Sequence, residues 1–279
     1  MSTTTGLSVK WENTGNFSED SLENGIGNEK RSDRYRPLAT QDLINGLERM
    51  DFVVTDIQTV RAKKKNKPFA KHIVRITHSK YVNRLEGERP EIVLENNSAG
   101  IGSFKVRLGI FRFICSNGMI LGDAFFCKSV VHRGKNFYER VFDAVAEASE
   151  HFERVERTIE RLKSVELTKD QIMVLRRRIM TQLEVALEKG KEDVEVRLNP
   201  NDMARPKRYE DMKNDAWTVI NKFQEKVLRG GVRYVKETFE GEKIKERKFN
   251  TTRAVKAIDK QIKLNQMVMN LGMEFLQAA

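Results

Sequence analysis

Two kinds of hydrophobic spacing divide the chain, one before and one after about residue 135. In the first part, short runs rich in β-branched and aromatic residues alternate apolar with polar positions, as in "DFVVTDIQTV", "FAKHIVRITH" and "SFKVRLGIFRFIC". A period of two is typical of strands with one buried face. In the second part the apolar positions step by three and four, which is typical of helices. The pattern predicts an α+β protein, with an N-terminal antiparallel β-rich sheet followed by a long-helix region.

The first two runs predict a β-hairpin with a basic tip, because the loop between them reads "RAKKKNKP". In the second strand, the alternation places Lys71, Ile73 and Arg75 on one face. The other face carries Ala70, His72, Val74 and Ile76. We expect His72 to be a strand residue near the core, since no carboxylate or nucleophile accompanies it for acid–base chemistry.

The third run predicts a strand with one apolar face and one basic, aromatic face. The apolar face carries Phe104, Val106, Leu108 and Ile110, and the opposite face carries Lys105, Arg107, Phe111 and Phe113. Asn117-Gly118 predicts a tight hairpin turn after this strand. Arg112 falls in the apolar register, so we expect either a bulge or a buried partner for its guanidinium.

A heptad seam begins near residue 136 and indicates helices. Its members are Val141, Val145, Ala148, Phe152, Val155, Ile159 and Leu162. Asn136 with Glu139, and Thr168 with Gln171, predict capping boxes for two helices, the second of which runs to about Glu188. The two helices form either an antiparallel hairpin or an oligomer contact, so Val145, Phe152, Val155 and Ile159 are candidates for core or interface.

Three further elements are predicted toward the C-terminus. A helix around Trp217 is stopped by Gly230-Gly231, a short hairpin joins "VRYVKETF" to "KIKERKF", and a last amphipathic helix carries Val255 to Phe275. The predicted organisation is an acidic disordered tail over 1–34, a β-rich nucleic-acid-binding region over 35–135 and a helical region over 136–279, the last two packed as one unit.

Charge points to a polyanionic partner. The chain carries 51 Lys and Arg against 40 Asp and Glu, a formal net charge of +11. Residues 1–29 hold one Lys against five acidic residues, so the remainder carries +15. Between Asp56 and Glu86 there is no acidic residue, although nine basic ones are present. Nucleic acid is the commonest partner of such a surface, and an ordinary solvated basic surface is the alternative.

Basic residues interleaved with aromatic ones are what single-stranded nucleic acid binding requires, since phosphates need cations and splayed bases need flat rings. The candidate binding residues are Arg61, Lys63, Lys64, Lys65, Lys67, Lys71, Arg75, Lys105, Arg107, Phe111 and Phe113. The alternative for Phe111 and Phe113 is burial under the C-terminal helices.

Other chemistry has no clear sequence signal. No apolar run approaches the roughly 18 residues of a membrane span, and the N-terminus lacks a signal-peptide pattern, so we expect a cytoplasmic protein without a membrane partner. We expect Cys115 and Cys127 to be reduced and packed. Neither a metal site, a cofactor nor a catalytic residue is expected, because the histidines lack zinc spacing and no catalytic motif is present. Asp123, Asp211 and Glu225 are carboxylates that a metal-dependent nuclease would need to bring together.

Four blocks of the chain resemble a known family. They are "FAKHIVRI", "IVLENNSAGIGSFKVRLGIFRFICSNGMI", "RPKRYEDMKNDAWTVINKFQEKVLRGGV" and "RAVKAIDKQIKLNQMVMNLGMEFL". In this order they are similar to domain of unknown function nine-three-two, whose members are phage- and plasmid-borne. The resemblance spans about Tyr35 to Leu276, and it implies a mobile-element lineage without implying a reaction. Where the family commonly has Ser-His-Asp-Gly, this chain has Ser98-Ala99-Gly100, so a role for that histidine does not carry over.

Three functions remain open from the sequence. The first is a phage or mobile-element protein of the bacterial host cytoplasm that binds or anneals single-stranded DNA in recombination or replication, as a homo-oligomer. The second is a protein-interaction module, either an inhibitor of host defence or a virion or assembly component. The third is a metal-dependent nuclease.

Overall fold

The computed structural model describes residues 34–59, 69–82, 87–97, 102–112, 117–120 and 126–277. Contacts divide the chain into two compact units, unit 1 with residues 1–111 and 123–152, and unit 2 with residues 112–122 and 153–279. The elements in chain order are α1 (Thr40–Glu48), β1 (Phe52–Thr59), β2 (His72–His78), β3 (Glu88–Asn96), β4 (Phe104–Arg112), β5 (Asn117–Ile120), β6 (Cys127–Val130), α2 (Phe137–Glu150), α3 (Phe152–Ser164), α4 (Lys169–Glu188), β7 (Val194–Leu198), α5 (Pro200–Ala204), α6 (Ala216–Arg229), β8 (Arg233–Glu240), β9 (Lys243–Thr251) and α7 (Ile258–Gln277). The α+β class is confirmed. Helix α2 belongs to unit 1, whereas the sequence-based division grouped it with the later helices.

Unit 1 contains an antiparallel sheet in which β1, β2, β3 and β4 are neighbours in that order. Strands β1 and β2 form the expected hairpin, and its tip, at residues 60–68, lies outside the described residues. The register places Arg75 between Asp56 of β1 and Val93 of β3. Strand β6 pairs with β4 over Phe104–Arg107.

The core of unit 1 lies on the predicted apolar face of β4. Phe104, Val106, Leu108 and Ile110 are at most 1% exposed. Helix α1 contributes Leu43, Ile44 and Leu47, and α2 contributes Phe137 and Val141 among others. Complete burial of each of these side chains contributes about 1.5–3 kcal/mol to folding. Because four of them come from alternate positions of β4, the alternation in β4 is a main local determinant of the unit 1 core.

His72 belongs to this core, as the sequence predicted. Its Nδ1–H donates to the backbone oxygen of Ala70 at 3.0 Å, and its Nε2 accepts from the Thr40 hydroxyl at 2.8 Å. Burial lowers the pKa of His72 from 6.5 to about 4. Both ring nitrogens are satisfied, which is how a fully buried neutral histidine is tolerated.

The heptad seam forms two helices rather than one, because α2 ends at Glu150 and α3 begins at Phe152. All seven seam side chains are fully buried. The capping box expected at Asn136 is wrong, since its side chain makes no cap hydrogen bond. The box at Thr168 and Gln171 is confirmed in both directions, at 3.2 and 2.8 Å.

Unit 2 contains a second antiparallel sheet, of order β7-β8-β9. The expected β8–β9 hairpin is confirmed, and it turns at Gly241, whose φ is 63°. Strand β7 was not predicted. Glu188 and Glu184 of α4 accept from the backbone N–H groups of Val196 and Leu198, so α4 satisfies one edge of this sheet.

Two further expectations need correction. Asn117 and Gly118 lie in strand β5 and not in a turn, so the connection from β4 falls on 113–116, outside the described residues. Asn-Gly favours a tight turn, but here strand pairing begins at Asn117 and holds both residues extended. Cys127 is exposed rather than packed, because it opens the short strand β6 on an outward-facing position.

Within the ranges given above, no helix is both long and apolar enough to cross a bilayer.

Candidate nucleic-acid interface

The predicted binding residues divide into two groups. Arg61, Lys63, Lys64, Lys65, Lys67 and Phe113 lie outside the described residues. Lys71, Arg75, Lys105, Arg107 and Phe111 lie in unit 1, on the sheet strands or next to them. Their role in nucleic-acid binding stays a prediction.

The described cations of this group gather around two buried glutamates of β3. Glu95 lies 2.6 Å from the Lys71 ammonium, 2.5 Å from the Arg107 guanidinium and 3.9 Å from the Lys105 ammonium. Burial raises the pKa of Glu95, but hydrogen bonds from Lys71 and Arg107 outweigh it, and the net pKa is lowered. The carboxylate therefore stays ionised and compensates these charges.

Glu91 forms the second centre. It is fully buried and accepts from Arg75 at 3.0 Å, from Arg89 at 2.8 Å and from the Thr55 hydroxyl at 2.7 Å. Burial raises the pKa of the neighbouring Asp56, with Arg75 opposing the rise. Arg75 and Arg107 are only 3% and 7% exposed. A phosphate would have to displace a buried carboxylate to reach either of them, so their local task is to neutralise the glutamates.

Phe111 is half-buried, and the Arg89 guanidinium lies 5.0 Å from its ring centroid. That cation–π contact occupies one face of the ring. Arg112 is buried, and its guanidinium lies 3.3 Å from the carboxylate of Asp211, which confirms the expected buried partner.

The four candidate seam residues are fully buried within the single chain: Val145, Phe152, Val155 and Ile159. Oligomer formation through them stays a prediction.

A more accessible combination of aromatic and cationic residues lies on the β7-β8-β9 sheet of unit 2. Val194, Val196 and Leu198 of β7 are buried, whereas Glu195 and Arg197 between them are exposed. The register puts Arg197 opposite Val235, and Val235 opposite Phe249. These three residues form one row across the exposed face, and the Phe249 side chain at the row's end is 79% exposed.

Glu237 fixes the cations of this face. It is 5% exposed, and its two oxygens accept from Arg197 at 3.2 Å and from Arg247 at 2.6 Å. Both guanidiniums keep more than half of their side-chain surface exposed. Arg197 also donates to the exposed Glu195 at 2.9 Å. Each guanidinium has five N–H donors, so each retains donors for another acceptor after these contacts. We call Arg197, Val235, Phe249, Glu237 and Arg247 the sheet-2 face.

An open cleft of ≈ 680 Å³ adjoins this face and is lined by Arg197, Arg233, Tyr234, Phe249 and Asn250, among others. Arg233 is held by Asp202 through two hydrogen bonds of 2.7 and 2.8 Å. These hydrogen bonds lower the pKa of Asp202 to about 2. The cleft therefore has an aromatic wall and positioned guanidiniums.

The sequence contains a signal for this face that was not used. "VEVRL" alternates strictly between apolar and charged residues, and "KIKERKFNT" places a phenylalanine among four basic residues. Alternation in β7 predicts the strand. The exposure of Phe249 follows from no local pattern, because it depends on how the described elements pack, and these leave every residue of β9 exposed.

The carboxylates that a nuclease would need are only partly brought together. Asp211 and Glu225 both accept from Arg208 of the same unit, and Asp123 lies outside the described residues. Across the part of the chain that the structure describes, no group of three metal-binding side chains was found.

The model of a family described as Domain of unknown function (DUF932) matches residues 29–269. The chain belongs to this family. Relatives include the UPF0380 proteins YfjQ and YafZ of Escherichia coli (strain K12), 29% and 28% identical over 252 residues, which are 90% of this chain and 83% of each relative. No solved structure matches the chain. The family's description names no activity, so function is inferred from the residues.

Proposed function

We propose that this protein binds single-stranded nucleic acid, with DNA the favoured substrate, through the sheet-2 face. The observation that carries the proposal is the environment of Phe249, which is 79% exposed on the same sheet face as Arg197 and Arg247, both held by the buried Glu237.

Two physical requirements of the ligand are met by this face. An unpaired base stacked on an aromatic ring contributes about 1–3 kcal/mol, and each phosphate needs a nearby cation. Between Arg233 and Lys263 the chain carries ten Lys and Arg against five Asp and Glu. This surplus lies on and next to β9, every residue of which is exposed.

A single strand fits the face better than a duplex does. Bases in a duplex are already stacked on one another, so Phe249 has no base face to take without unstacking a pair. The basic residues Arg61, Lys63, Lys64, Lys65 and Lys67 supply further phosphate contacts in the same proposal. A role in annealing during recombination or replication would add oligomers that align several such strands.

The test is fluorescence anisotropy with a labelled single strand of about 20 nucleotides and the matching duplex. We expect the single strand to bind more tightly, and Phe249→Ala to weaken its binding by about five- to hundredfold, since that is the range of one stacking contact. Phe249→Trp keeps a flat ring and should retain affinity. Met173→Ala, an exposed apolar residue on α4, is the control for loss of surface area.

The hairpin tip is tested separately by changing Lys63, Lys64 and Lys65 together to Ala. If most of them contact phosphate, the slope of log affinity against log salt should flatten by roughly two, at about 0.7 per contact. The proposal fails if no single-strand binding is seen at about 0.05 M salt, or if Phe249→Ala binds as the wild type does. Binding to a protein in place of nucleic acid would favour the interaction-module function.

A further inference from the structure

A second concentration of cations lies in unit 2, where a short turn at Tyr209–Met212 meets helix α6. Glu225 of α6 accepts from the Arg208 guanidinium at 2.8 and 3.0 Å and from the Lys207 ammonium at 3.2 Å. The Arg229 guanidinium is 3.9 Å away from the same carboxylate. One carboxylate that is 4% exposed therefore has three cations within 4 Å of it.

Asp211 supports the same arrangement from the turn. Its carboxylate accepts from the backbone N–H groups of Lys207 and Arg208 at 3.3 and 3.1 Å, and from Arg112 at 3.3 Å. The turn and the two residues before it are thus tied to the buried side chains of Arg112 and Glu225. Lys207 and Arg208 are held in position without a ligand, so little conformational entropy is lost when one binds.

Positive charge exceeds negative charge in this region. Lys226, the residue after Glu225, is 8% exposed, and its pKa is lowered by burial and by the nearby Lys207. Burial raises the pKa of Glu225, but hydrogen bonds from Arg208 and Lys207 outweigh it and bring the pKa to about 2. The cations are Arg112, Arg205, Lys207, Arg208, Lys226 and Arg229, against the carboxylates of Asp202, Asp211 and Glu225. We call this set the Glu225 cluster.

The cluster is open to solvent on the side of the turn. The side chains of Lys207, Arg208 and Arg229 are 37%, 26% and 46% exposed. Tyr209 follows Arg208 directly in the chain and is 83% exposed, so an aromatic ring next to these cationic residues in sequence is accessible to a ligand. No contact in unit 1 or on the sheet-2 face is needed to form this site.

We propose that the Glu225 cluster binds the phosphate of a nucleotide while Tyr209 stacks on its base. A phosphate offers up to two negative charges and several acceptor oxygens, which match converging ammonium and guanidinium donors. The aromatic ring distinguishes a nucleotide from a bare anion. The nucleotide is either free or part of a strand. The inference is independent of the proposed function, because it uses other residues of unit 2.

The first experiment is isothermal titration calorimetry of the full chain with dAMP, deoxyadenosine and inorganic phosphate. We expect dAMP to bind more tightly than either of the others, since only dAMP has both groups. Lys207→Ala combined with Arg229→Ala should weaken dAMP binding by about tenfold or more, because two charge-assisted contacts are lost. Glu225 keeps its two Arg208 hydrogen bonds in this variant, so the fold is expected to survive, which a circular dichroism melt checks.

Two variants separate the phosphate from the base. Tyr209→Ala should weaken dAMP binding by about fivefold or more and leave inorganic phosphate unchanged. Arg177→Ala, an exposed arginine of α4 outside the cluster, is the matched control and should bind dAMP as the wild type does. If the double variant unfolds, Tyr209→Ala still decides the question, since that side chain lies almost wholly in solvent.

The source of the nucleotide is decided by competition with a 5′-phosphorylated single strand. Displacement of dAMP by the strand assigns the site to the polymer, and dAMP binding that the strand does not disturb assigns it to a free nucleotide. The inference is overturned if dAMP shows no binding at about millimolar concentration, or if dAMP binds the double variant or Tyr209→Ala unchanged. If the strand fails to bind while dAMP binds, the proposed function fails and the Glu225 cluster stands.

Discussion

At the scale of single residues, unit 1 depends on polar groups that are buried and satisfied. The carboxylates of Glu91 and Glu95 neutralise the charges of buried arginines. The Asn96 side-chain amide donates to the backbone oxygen of Leu38 and to the Thr40 hydroxyl. His72 shares that hydroxyl and must be neutral to accept from it. Protonation would place a charge on a fully buried ring whose partners are the Thr40 hydroxyl and the Ala70 carbonyl, and this makes His72 an acid-sensitive point of the core.

We expect the free energy of unfolding to fall as the pH is lowered from 6.5 to 4. The folded-state pKa of His72 is lowered to about 4 from an unfolded value of 6.5, so the unfolded chain takes up the proton first. Burial that lowers the pKa of His132 acts in the same direction. The free energy of unfolding that is lost through His72 is roughly 3 kcal/mol. This loss is absent above pH 6.5 and complete below pH 4. Urea unfolding across this range measures it.

His72→Gln removes the titrating ring and should reduce that dependence at the expense of overall stability. His78→Gln, a histidine at the less buried end of the same strand, is the control and should keep the dependence. A stability that stays flat between pH 4 and 6.5 in the wild type would contradict the assignment of His72 as a neutral core residue.

At the scale of elements, the heptad seam is an interior surface of the single chain. Phe152 is fully buried and meets the Tyr81 ring edge-on, with ring centroids 4.9 Å apart. Ile159 is also fully buried. The apolar spacing therefore predicts the buried side of α2 and α3, although it does not say what covers that side.

Changing Phe152 or Ile159 to Asp should unfold the protein. Loss of the large side chain alone costs about 2–5 kcal/mol, and the unpaired buried carboxylate adds several more. This approaches or exceeds the whole stability of an ordinary domain, about 5–15 kcal/mol. Circular dichroism melts give the stability, and light scattering gives the mass. Arg157→Asp, on the exposed side of α3, is the control and should cost less than about 1 kcal/mol. A folded Phe152→Asp protein of lower mass would place the seam in an interface instead.

At the scale of the whole molecule, charge is divided unevenly along the chain. Residues 1–29 carry a net −4 and the rest carries +15. A tethered acidic segment competes with a polyanion for a basic surface without needing a fixed structure. This argument rests on charge alone, because residues 1–33 lie outside the described residues.

Removal of residues 1–29 should tighten single-strand binding, more at low salt than at high salt, since screening at about 0.15 M limits the reach of charges to about 8 Å. Anisotropy titrations of the full chain and of the shortened chain, each at two salt concentrations, measure the difference. Equal affinities at both salts would exclude this competition, and weaker binding after removal would place the segment in assembly.

Much of the fold was predictable because its determinants are local. The alternation in β4 identified Phe104 to Ile110 as a buried face, and Thr168 with Gln171 marked the start of α4. The candidate site was much less predictable. Arg75 and Arg107 have the spacing of a basic surface, yet their environment depends on Glu91 and Glu95, which lie on another strand. A periodicity reports which side of an element a residue occupies, but it does not report its partners.

The sequence by itself determined the class of fold, the strands and helices with strong periodicity, the buried seam and the need of Arg112 for a partner. Only the tertiary structure decided that this partner is Asp211, 99 residues away, that β7 adds a second sheet, and that Phe249 faces solvent on the same sheet face as two held arginines. The physical reason is range. Hydrophobic period and capping act over a few residues, whereas ion pairing and exposure depend on which distant elements come to lie side by side.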